Sequence, residues 1–313
     1  MQVIEGYRGL GAERRGAAAA LGNFDGVHLG HRALIAAARA AGGPTGVVTF
    51  EPHPRRFFQP DAPPFRLTTP SEKARQLKAC GVQRLHVLAF DHALAGTRPE
   101  AFVEDVLVGG LGLRHVVVGR DFRFGKGRAG DAALLERLGA ALGLGVSVHR
   151  LLGGDQPYSS SAIRQALRTG DCAAAARQLG RWHGVSGRVV EGDRRGRDLG
   201  YPTANLDFGE QVIPRFGIYA VDVAVHDGPH RGRHRGVASI GERPTFGRSR
   251  PNFEVHLFDF AGDLYGAEIT AGLVHFLREE AAFESAEALV RQMDRDAEEA
   301  RAVLADRRLP ASA

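Results

Sequence analysis

Short apolar runs alternate with longer segments of helical spacing along the first half of the chain. The apolar runs lie at Ala17–Leu21, Gly46–Phe50, Leu85–Phe90, His115–Gly119 and Val146–Leu151. The segments between them are rich in Ala and Leu and lie at His31–Ala41, Ser71–Cys80, Pro99–Leu107 and Asp131–Leu142. Strands that alternate with helices predict βαβ units around a parallel sheet, and uninterrupted apolar strands predict a sheet covered on both faces.

The pattern changes after about Gly180. Between Gly184 and Phe276 the strand-like runs are broken by Gly, Pro and Asp, and no helical periodicity is present. These runs lie at Val185–Val190, Gly217–Val225, Gly236–Ile240, Phe253–Phe260 and Ala267–Phe276. Closely spaced strands with turn residues predict an antiparallel barrel or sandwich. A last helix is predicted at Ser285–Leu304, with a core-facing apolar stripe formed by Leu289, Met293, Ala297, Ala300 and Leu304.

Two domains are the natural organisation for a chain of 313 residues. We predict an α/β domain with a Rossmann-like parallel sheet at 1–182 and an antiparallel β domain with a terminal helix at 183–313. The boundary is expected near Arg181–Ser186, where the pattern changes. The Pro-rich stretch Gln59–Pro70 is predicted to be a loop within the first domain.

The chain carries a modest positive charge, since Lys plus Arg exceed Asp plus Glu by 41 − 36 = 5. A phosphate-bearing partner suits this charge, and the residues alone allow a nucleoside triphosphate or a nucleic acid. The basic residues are scattered, without a long Lys/Arg tail, so we expect no nucleic-acid binding.

The two cysteines, Cys80 and Cys172, form no CxxC pair, which argues against a zinc framework or a disulfide scaffold. The N-terminal residues contain no sustained apolar stretch, and no apolar run approaches the roughly 20 residues of a membrane span. We therefore expect a cytoplasmic protein without a membrane anchor.

A candidate phosphate site follows the first predicted strand, where the chain reads LGNFDGVHLGH at Leu21–His31. A helix N-terminus presents unpaired N–H groups and favours phosphate, and Gly22, Gly26 and Gly30 allow close backbone approach. His28 and His31 are three residues apart and share one face of the helix start, from which they could donate hydrogen bonds to a triphosphate. The alternatives are a surface pair or a fortuitous metal pair.

A second candidate lies at Ser159, Ser160 and Ser161, which precede a helix-like run. Hydroxyl and N–H groups at a helix start suit phosphate, although the serines can also simply cap the helix. Arg164 offers a bidentate fork for phosphate oxygens. His53 follows a strand, at the end of a parallel sheet where ligands bind, and its alternative is an exposed loop histidine.

The second half contains a Gly- and Arg-rich segment at Gly187–Asn205 that is not a Walker A loop, because GxxxxGK[ST] is absent. Taken alone, Thr203 and Asn205 would be interpreted as closing a turn. Glu254 lies in a strand-like run whose apolar residues face the other way, so a solvated glutamate is the ordinary alternative to a catalytic one.

Several strings occur in an order typical of a known family. GNFDGVHLGH, TFEPHP, VGRDFRFGKGRAGD and SSSAIR resemble the flavin adenylyltransferase branch of the nucleotidylyltransferase superfamily. GYPTANL, GIYAV, GVASIGERPTFG and FEVHLFDFAGDLYG resemble a riboflavin kinase domain, which folds as a small antiparallel β-barrel. Ser161 stands where the first family usually has Thr, and it keeps a hydroxyl. The resemblance spans about Gly22–Arg301 and is that of bacterial bifunctional flavin-nucleotide synthases.

The first resemblance implies adenylyl transfer from ATP to FMN, giving FAD and pyrophosphate. His28, His31 and Arg164 would stabilise charge together with Mg²⁺. The implied ATP-binding residues are Gly22, Asn23, Phe24, Asp25, Gly26, Ser159, Ser160 and Ser161. The implied flavin-binding residues are His53, Asp121, Phe122 and Phe124, with core packing as the alternative for one of the phenylalanines.

The second resemblance implies phosphorylation of riboflavin to FMN. Glu254 would act as the base, Thr203 and Asn205 would hold Mg²⁺ and phosphates, and Gly192, Gly196 and Arg197 would contact ATP. The expected partners are small molecules only (riboflavin, FMN and ATP), and the chain is expected to be a monomer or a transient oligomer. Two alternatives are an enzyme that retains one of the activities and a non-catalytic flavin-binding regulatory protein.

Overall fold

The computed structural model describes residues 1–150, 153, 157–192, 200–245, 248–306 and 309, with the backbone alone at 243–245 and 248–250. Contacts divide the chain into two compact units, one formed by Met1–Ala62 with Pro70–Tyr158 and the other by Pro63–Thr69 with Ser159–Ala313. This division falls before the boundary near Arg181 that the sequence predicts, and that boundary stays a prediction.

The first unit is built on a parallel sheet, as the alternating pattern predicts. The described residues of this unit form the strands β1 (Gln2–Glu5), β2 (Ala18–Leu21), β3 (Thr45–Glu51), β4 (Arg84–Ala89), β5 (His115–Gly119), β6 (Arg123–Phe124), β7 (Gly130–Asp131) and β8 (Gly145–His149). Six of them pair in the order β1-β4-β3-β2-β5-β8, and every one of these pairings is parallel. β6 and β7 form a separate antiparallel pair. The sequence analysis missed β1, in which only Ile4 is buried.

Helices cover both faces of this sheet. They are α1 (Leu29–Ala40), α2 (Pro54–Phe58), α3 (Pro70–Ala79), α4 (His92–Ala95), α5 (Pro99–Ala101) and α6 (Ala132–Leu142). All four residues of β2 are buried, and its alternate side chains enter two different apolar clusters. The prediction of a sheet that is buried on both faces is therefore confirmed.

The helix predicted at Pro99–Leu107 is only partly α-helical. α5 runs directly into a π-helix at Phe102–Gly110. Arg15 donates from Nη1 to the carbonyls of Gly109 and Gly110, at 2.9 Å each, and these bonds satisfy backbone acceptors at the end of the π-helix.

The second unit is built on an antiparallel sheet with a terminal helix, as predicted, and its described residues also include two helices that precede the sheet. Its strands are β9 (His183–Arg188), β10 (Ala204–Leu206), β11 (Gly217–Val225), β12 (Gly232–Thr245), β13 (Arg248–Leu257) and β14 (Glu268–Arg278), in the order β10-β13-β12-β11-β14-β9. Val190, just after β9, bridges to Asn205 of β10 across the two ends of this order. The sheet therefore curls towards a barrel.

The helices of this unit are α7 (Ser160–Arg168), α8 (Cys172–Leu179) and α9 (Ala286–Ala305). In α9, Ala300 and Leu304 are buried and the rest of the predicted stripe is half-buried. Arg278 of β14 anchors the helix with a bidentate pair to the buried Asp296, at 2.8 and 2.6 Å.

The segment Gln59–Pro70 corrects one prediction. Residues Pro63–Thr69 cluster with the second unit and are not a loop of the first. The cause is backbone pairing: the N–H groups of Phe65 and Arg66 both donate to the Glu210 carbonyl, and Val212 N donates to the Arg66 carbonyl. Apolarity and proline content carry no signal for such pairing.

His86 of β4 gives the first unit a predictable pH response. Its ring is fully buried, and neither nitrogen has a hydrogen-bond partner within the described part of the chain. Burial, with a smaller contribution from Arg84, lowers the pKa of His86 from 6.5 to about 4. The unfolded chain therefore binds this proton near pH 6.5, whereas the folded protein resists it until about pH 4.

We expect the free energy of unfolding to be highest above pH 6.5 and to fall as the pH drops towards 4. His86→Leu should flatten this part of the profile, and the exposed His92→Gln should not. Urea unfolding at a series of pH values measures the profile. Equal slopes for His86→Leu and the wild type would contradict the assignment.

Candidate active sites

A strained turn joins β2 to α1 in the first unit. Val27 N donates to the Phe24 carbonyl at 3.2 Å, and φ is +51° at Phe24, +86° at Gly26 and +41° at Val27. Left-handed backbone at a non-glycine residue costs roughly 1–3 kcal/mol, and more than usual strain is expected for a β-branched side chain. Phe24 and Val27 are both fully buried, so core packing offsets this cost.

The turn places the side chains of His28 and His31 next to each other. Their rings stack with centroids 3.6 Å apart and planes 20° from parallel. His28 is buried and caps α1, because its Nδ1 accepts a hydrogen bond from His31 N at 3.3 Å. Acceptance at Nδ1 places the proton of a neutral His28 ring on Nε2. A Cβ at Gly30 would lie 3.1 Å from the His28 ring, so this position favours glycine. The surface-pair alternative is therefore wrong for His28.

His53 has the same structural role at another helix. Its Nδ1 accepts a hydrogen bond from Arg55 N at 3.1 Å and caps α2, and the residue is buried. The alternative of an exposed loop histidine is therefore wrong. The cap could not be predicted from the sequence, because Asn, Asp, Ser and Thr are the usual capping residues.

Aromatic side chains gather beside α2. Phe57, Phe58 and Phe90 contact one another with ring centroids 5.1–5.7 Å apart, and Phe58 is 65% exposed. This cluster was not predicted from the sequence, although the Phe57-Phe58 pair directly after HPRR could have indicated it. An exposed aromatic surface of this kind suits a planar ligand.

The residues predicted around Phe122 have mixed environments. Phe124 is buried and lies 5.7 Å from Phe102, so core packing is confirmed for that phenylalanine. Phe122 is half-buried and stacks on Phe124 at 5.7 Å. Asp121 is exposed.

The remaining predicted adenylyl-transfer residues belong to the second unit. Ser159 caps α7, with its Oγ accepting from Ala162 N at 3.1 Å, which confirms the capping interpretation for that serine. Ser160 and Ser161 occupy the first turn of α7. Arg164 donates from Nε to the Phe65 carbonyl at 2.7 Å.

A polar cluster surrounds Glu254 on β13. Phe253 and Val255 are buried in the core, so Glu254 lies on the opposite face of the strand, as period two predicts. Thr203 Oγ1 donates to Glu254 Oε2 at 3.3 Å, and Asn252 Nδ2 donates to Oε1 at 2.6 Å. Both carboxylate oxygens are thus held. The sequence analysis missed Asn252, although period two places it on the same face as Glu254.

Asn205 lies directly beside this carboxylate, because strand pairing sets Asn205 opposite Glu254. The amide is buried, and its Oδ1 has no hydrogen-bond partner among the residues that the structure describes. A Cβ at Gly192 would lie 2.6 Å from the Asn205 Cγ, so a side chain there would require the Asn205 amide to shift. Gly196 and Arg197, which we predict to contact ATP, lie outside the described residues.

Tyr201 and His256, which flank this cluster, are also held by hydrogen bonds. His256 bonds the Pro202 carbonyl through Nδ1 at 2.9 Å, and its ring lies 4.9 Å from that of Tyr201. The Tyr201 hydroxyl bonds Asp294 of α9. Burial, followed by that hydrogen bond, raises the pKa of Tyr201 to about 12.

Two family models define the class of protein, a nucleotide-dependent transferase with two activities. A family model described as FAD synthetase matches residues 11–162, and one described as riboflavin kinase matches residues 179–304. The bifunctional riboflavin kinase/FMN adenylyltransferase of Pseudomonas fluorescens is 42% identical over 97% of this chain and 98% of the relative. The chain belongs to the bifunctional riboflavin kinase/FMN adenylyltransferase family.

Two further comparisons extend over nearly the full length of the chain. The protein of the same description from Escherichia coli K12 is 42% identical and covers 95% of this chain and 96% of the relative. A crystal structure from Streptococcus pneumoniae, described as a macrolide-efflux protein, is 31% identical, covers 96% of this chain and 98% of that chain, and has a TM-score of 0.83. Across the ranges that the structure describes, no helix is sufficiently long and apolar to cross a bilayer.

The capping role of His53 can be separated from any chemical role. His53→Ala should lower the free energy of unfolding of the first unit by about 1 kcal/mol, because the cap is lost. His53→Asn should retain most of that stability, because an Asn side chain can accept the same N–H. Urea unfolding of the two variants checks this. Equal destabilisation by Ala and Asn would show that the cap is not what the imidazole contributes.

Proposed function

We propose that this chain phosphorylates riboflavin to FMN with ATP and then transfers the adenylyl group of a second ATP to FMN, giving FAD and pyrophosphate. The observation that carries the proposal is that each family match includes one assembled polar cluster, His28 with His31 in the first and Glu254 with Thr203 in the second. The two reactions are assigned to different clusters.

Glu254 is proposed as the base of the kinase step. The terminal ribityl hydroxyl attacks the γ-phosphorus of ATP, Glu254 takes its proton, and ADP leaves. This role of Glu254 is supported by the orientation of its carboxylate, because Thr203 and Asn252 each donate a hydrogen bond to one carboxylate oxygen.

Asn205 and Thr203 are proposed to hold Mg²⁺ in this cluster. Their support is the donor set, which combines a hydroxyl with a buried amide oxygen that has no hydrogen-bond partner in the described part of the chain. Uncharged oxygen ligands suit a hard cation that keeps several waters. When bound, the ion supplies charge neutralisation to the nucleotide phosphates.

His28 and His31 are proposed to act on the triphosphate in adenylyl transfer. The FMN phosphate attacks the α-phosphorus of ATP and pyrophosphate leaves, so no covalent enzyme intermediate is needed. The role of His28 is supported by its cap, which leaves the N–H of the neutral ring at Nε2 as a donor for developing charge. Arg164, Ser160 and Ser161 are proposed as further phosphate contacts.

The flavin of the adenylyl-transfer step is proposed to contact His53, Asp121 and Phe122. The exposed ring of Phe58 supports extending this surface towards α2. Gly22, Asn23, Asp25 and Gly26 are proposed to line the ATP side. Phe24 is better explained by packing, since it is fully buried.

The protein is further proposed to act in the cytoplasm on small molecules, without nucleic acid, as a monomer or a transient oligomer. The scattered arginines support the absence of a nucleic-acid surface.

The two clusters should be separable by mutation. Glu254→Gln should lower FMN formation by at least about 100-fold and leave FMN-to-FAD conversion unchanged, because only the base is removed. His28→Asn with His31→Ala should do the reverse by about 100-fold, and Asn at position 28 preserves the helix cap. Each variant is the control for the other. Loss of both reactions in either folded variant would overturn the assignment of one reaction to each cluster.

A further inference from the structure

Lysine is rare in this chain, which contains 38 arginines and three lysines. Lys78 of α3 is exposed, whereas Lys73 of the same helix is 3% exposed. Burying an ammonium group is costly unless it is paired and hydrogen-bonded. The groups that surround Lys73 must therefore offset the cost of burying its charge.

Three acceptors surround the Lys73 ammonium. Its Nζ lies 2.7 Å from Glu51 Oε1, 3.3 Å from Thr49 Oγ1 and 3.4 Å from the Asn23 carbonyl. A lysine ammonium has three donors on a compact point charge, whereas a guanidinium spreads five donors in a rigid plane. This arrangement suits a lysine at position 73 better than an arginine.

The acceptors belong to the two segments that carry the first active site. Thr49 and Glu51 lie at the end of β3, just before His53. The Asn23 carbonyl comes immediately before the strained turn, and Thr49 Oγ1 also donates to it, at 3.0 Å. Lys73 therefore ties the start of the turn to the end of β3. Strained backbone persists only where its surroundings over-determine it.

We infer that Lys73 is a positioning residue for adenylyl transfer to FMN. It holds the Asn23 carbonyl and thereby the turn that places His28 and His31, without touching substrate. Displacing a catalytic group by about 1 Å can reduce a rate by roughly 100-fold. The loss should fall on kcat more than on KM, because the histidines act on charge that develops in the transition state.

The test uses the full chain and rests on the proposed function. Lys73→Met should lower kcat for FMN-to-FAD conversion by about 100-fold, with a smaller change in KM for FMN and with riboflavin phosphorylation unchanged. Lys78→Met, an exposed lysine on the same helix, should match the wild type. If wild-type protein makes no FAD, the proposed function itself fails, which is distinct from failure of the role of Lys73.

A second pair of variants keeps the test decisive if Lys73→Met folds poorly. Glu51→Gln combined with Lys73→Met removes both charges, so its urea midpoint should exceed that of Lys73→Met. Compared with Glu51→Gln alone, the double variant should still convert FMN at least about 10-fold more slowly, because the Asn23 carbonyl has lost its ammonium donor. Equal kcat in these two variants, or full kcat in folded Lys73→Met, would overturn the inference.

Discussion

The left-handed turn from Phe24 to Val27 is the constraint on which the proposed adenylyl-transfer site depends. A chain leaving β2 along an ordinary path would not bring His28 to the start of α1 with its Nδ1 facing the His31 amide. The turn forces two non-glycine residues to positive φ, and their burial offsets that strain. The same turn is thus stabilised by core packing and sets the positions of the two histidines.

The proposed kinase site depends on strand register instead. Pairing of β10 with β13 sets Asn205 opposite Glu254, and the alternation of β13 puts Asn252 on the same face. A slip of β13 by one residue would turn Glu254 and Asn252 to the other face of the sheet, away from Asn205. Hydrogen bonds from Thr203 and Asn252 then restrict the carboxylate. The two proposed sites are therefore positioned by different physical means.

The central strands of both sheets were predictable because fully buried strands are continuous apolar runs. β5 and β11 match their predicted bounds, whereas the short strands β1 and β10 carry too few apolar residues to be seen. The roles proposed for His28, His31 and Glu254 came from motifs that resemble a known family, and not from the hydrophobic periodicity of the sequence. The burial of His53 and Lys73 could not be predicted, because each depends on tertiary partners that local patterns do not encode.

The most direct test of two active sites in one chain is analysis of the products that the purified protein forms. One reaction contains riboflavin, ATP and Mg²⁺, the other contains FMN, ATP and Mg²⁺, and chromatography separates the flavins over time. We expect FMN followed by FAD in the first reaction, and FAD with pyrophosphate in the second. Flavin that binds in both reactions without forming product would contradict this expectation.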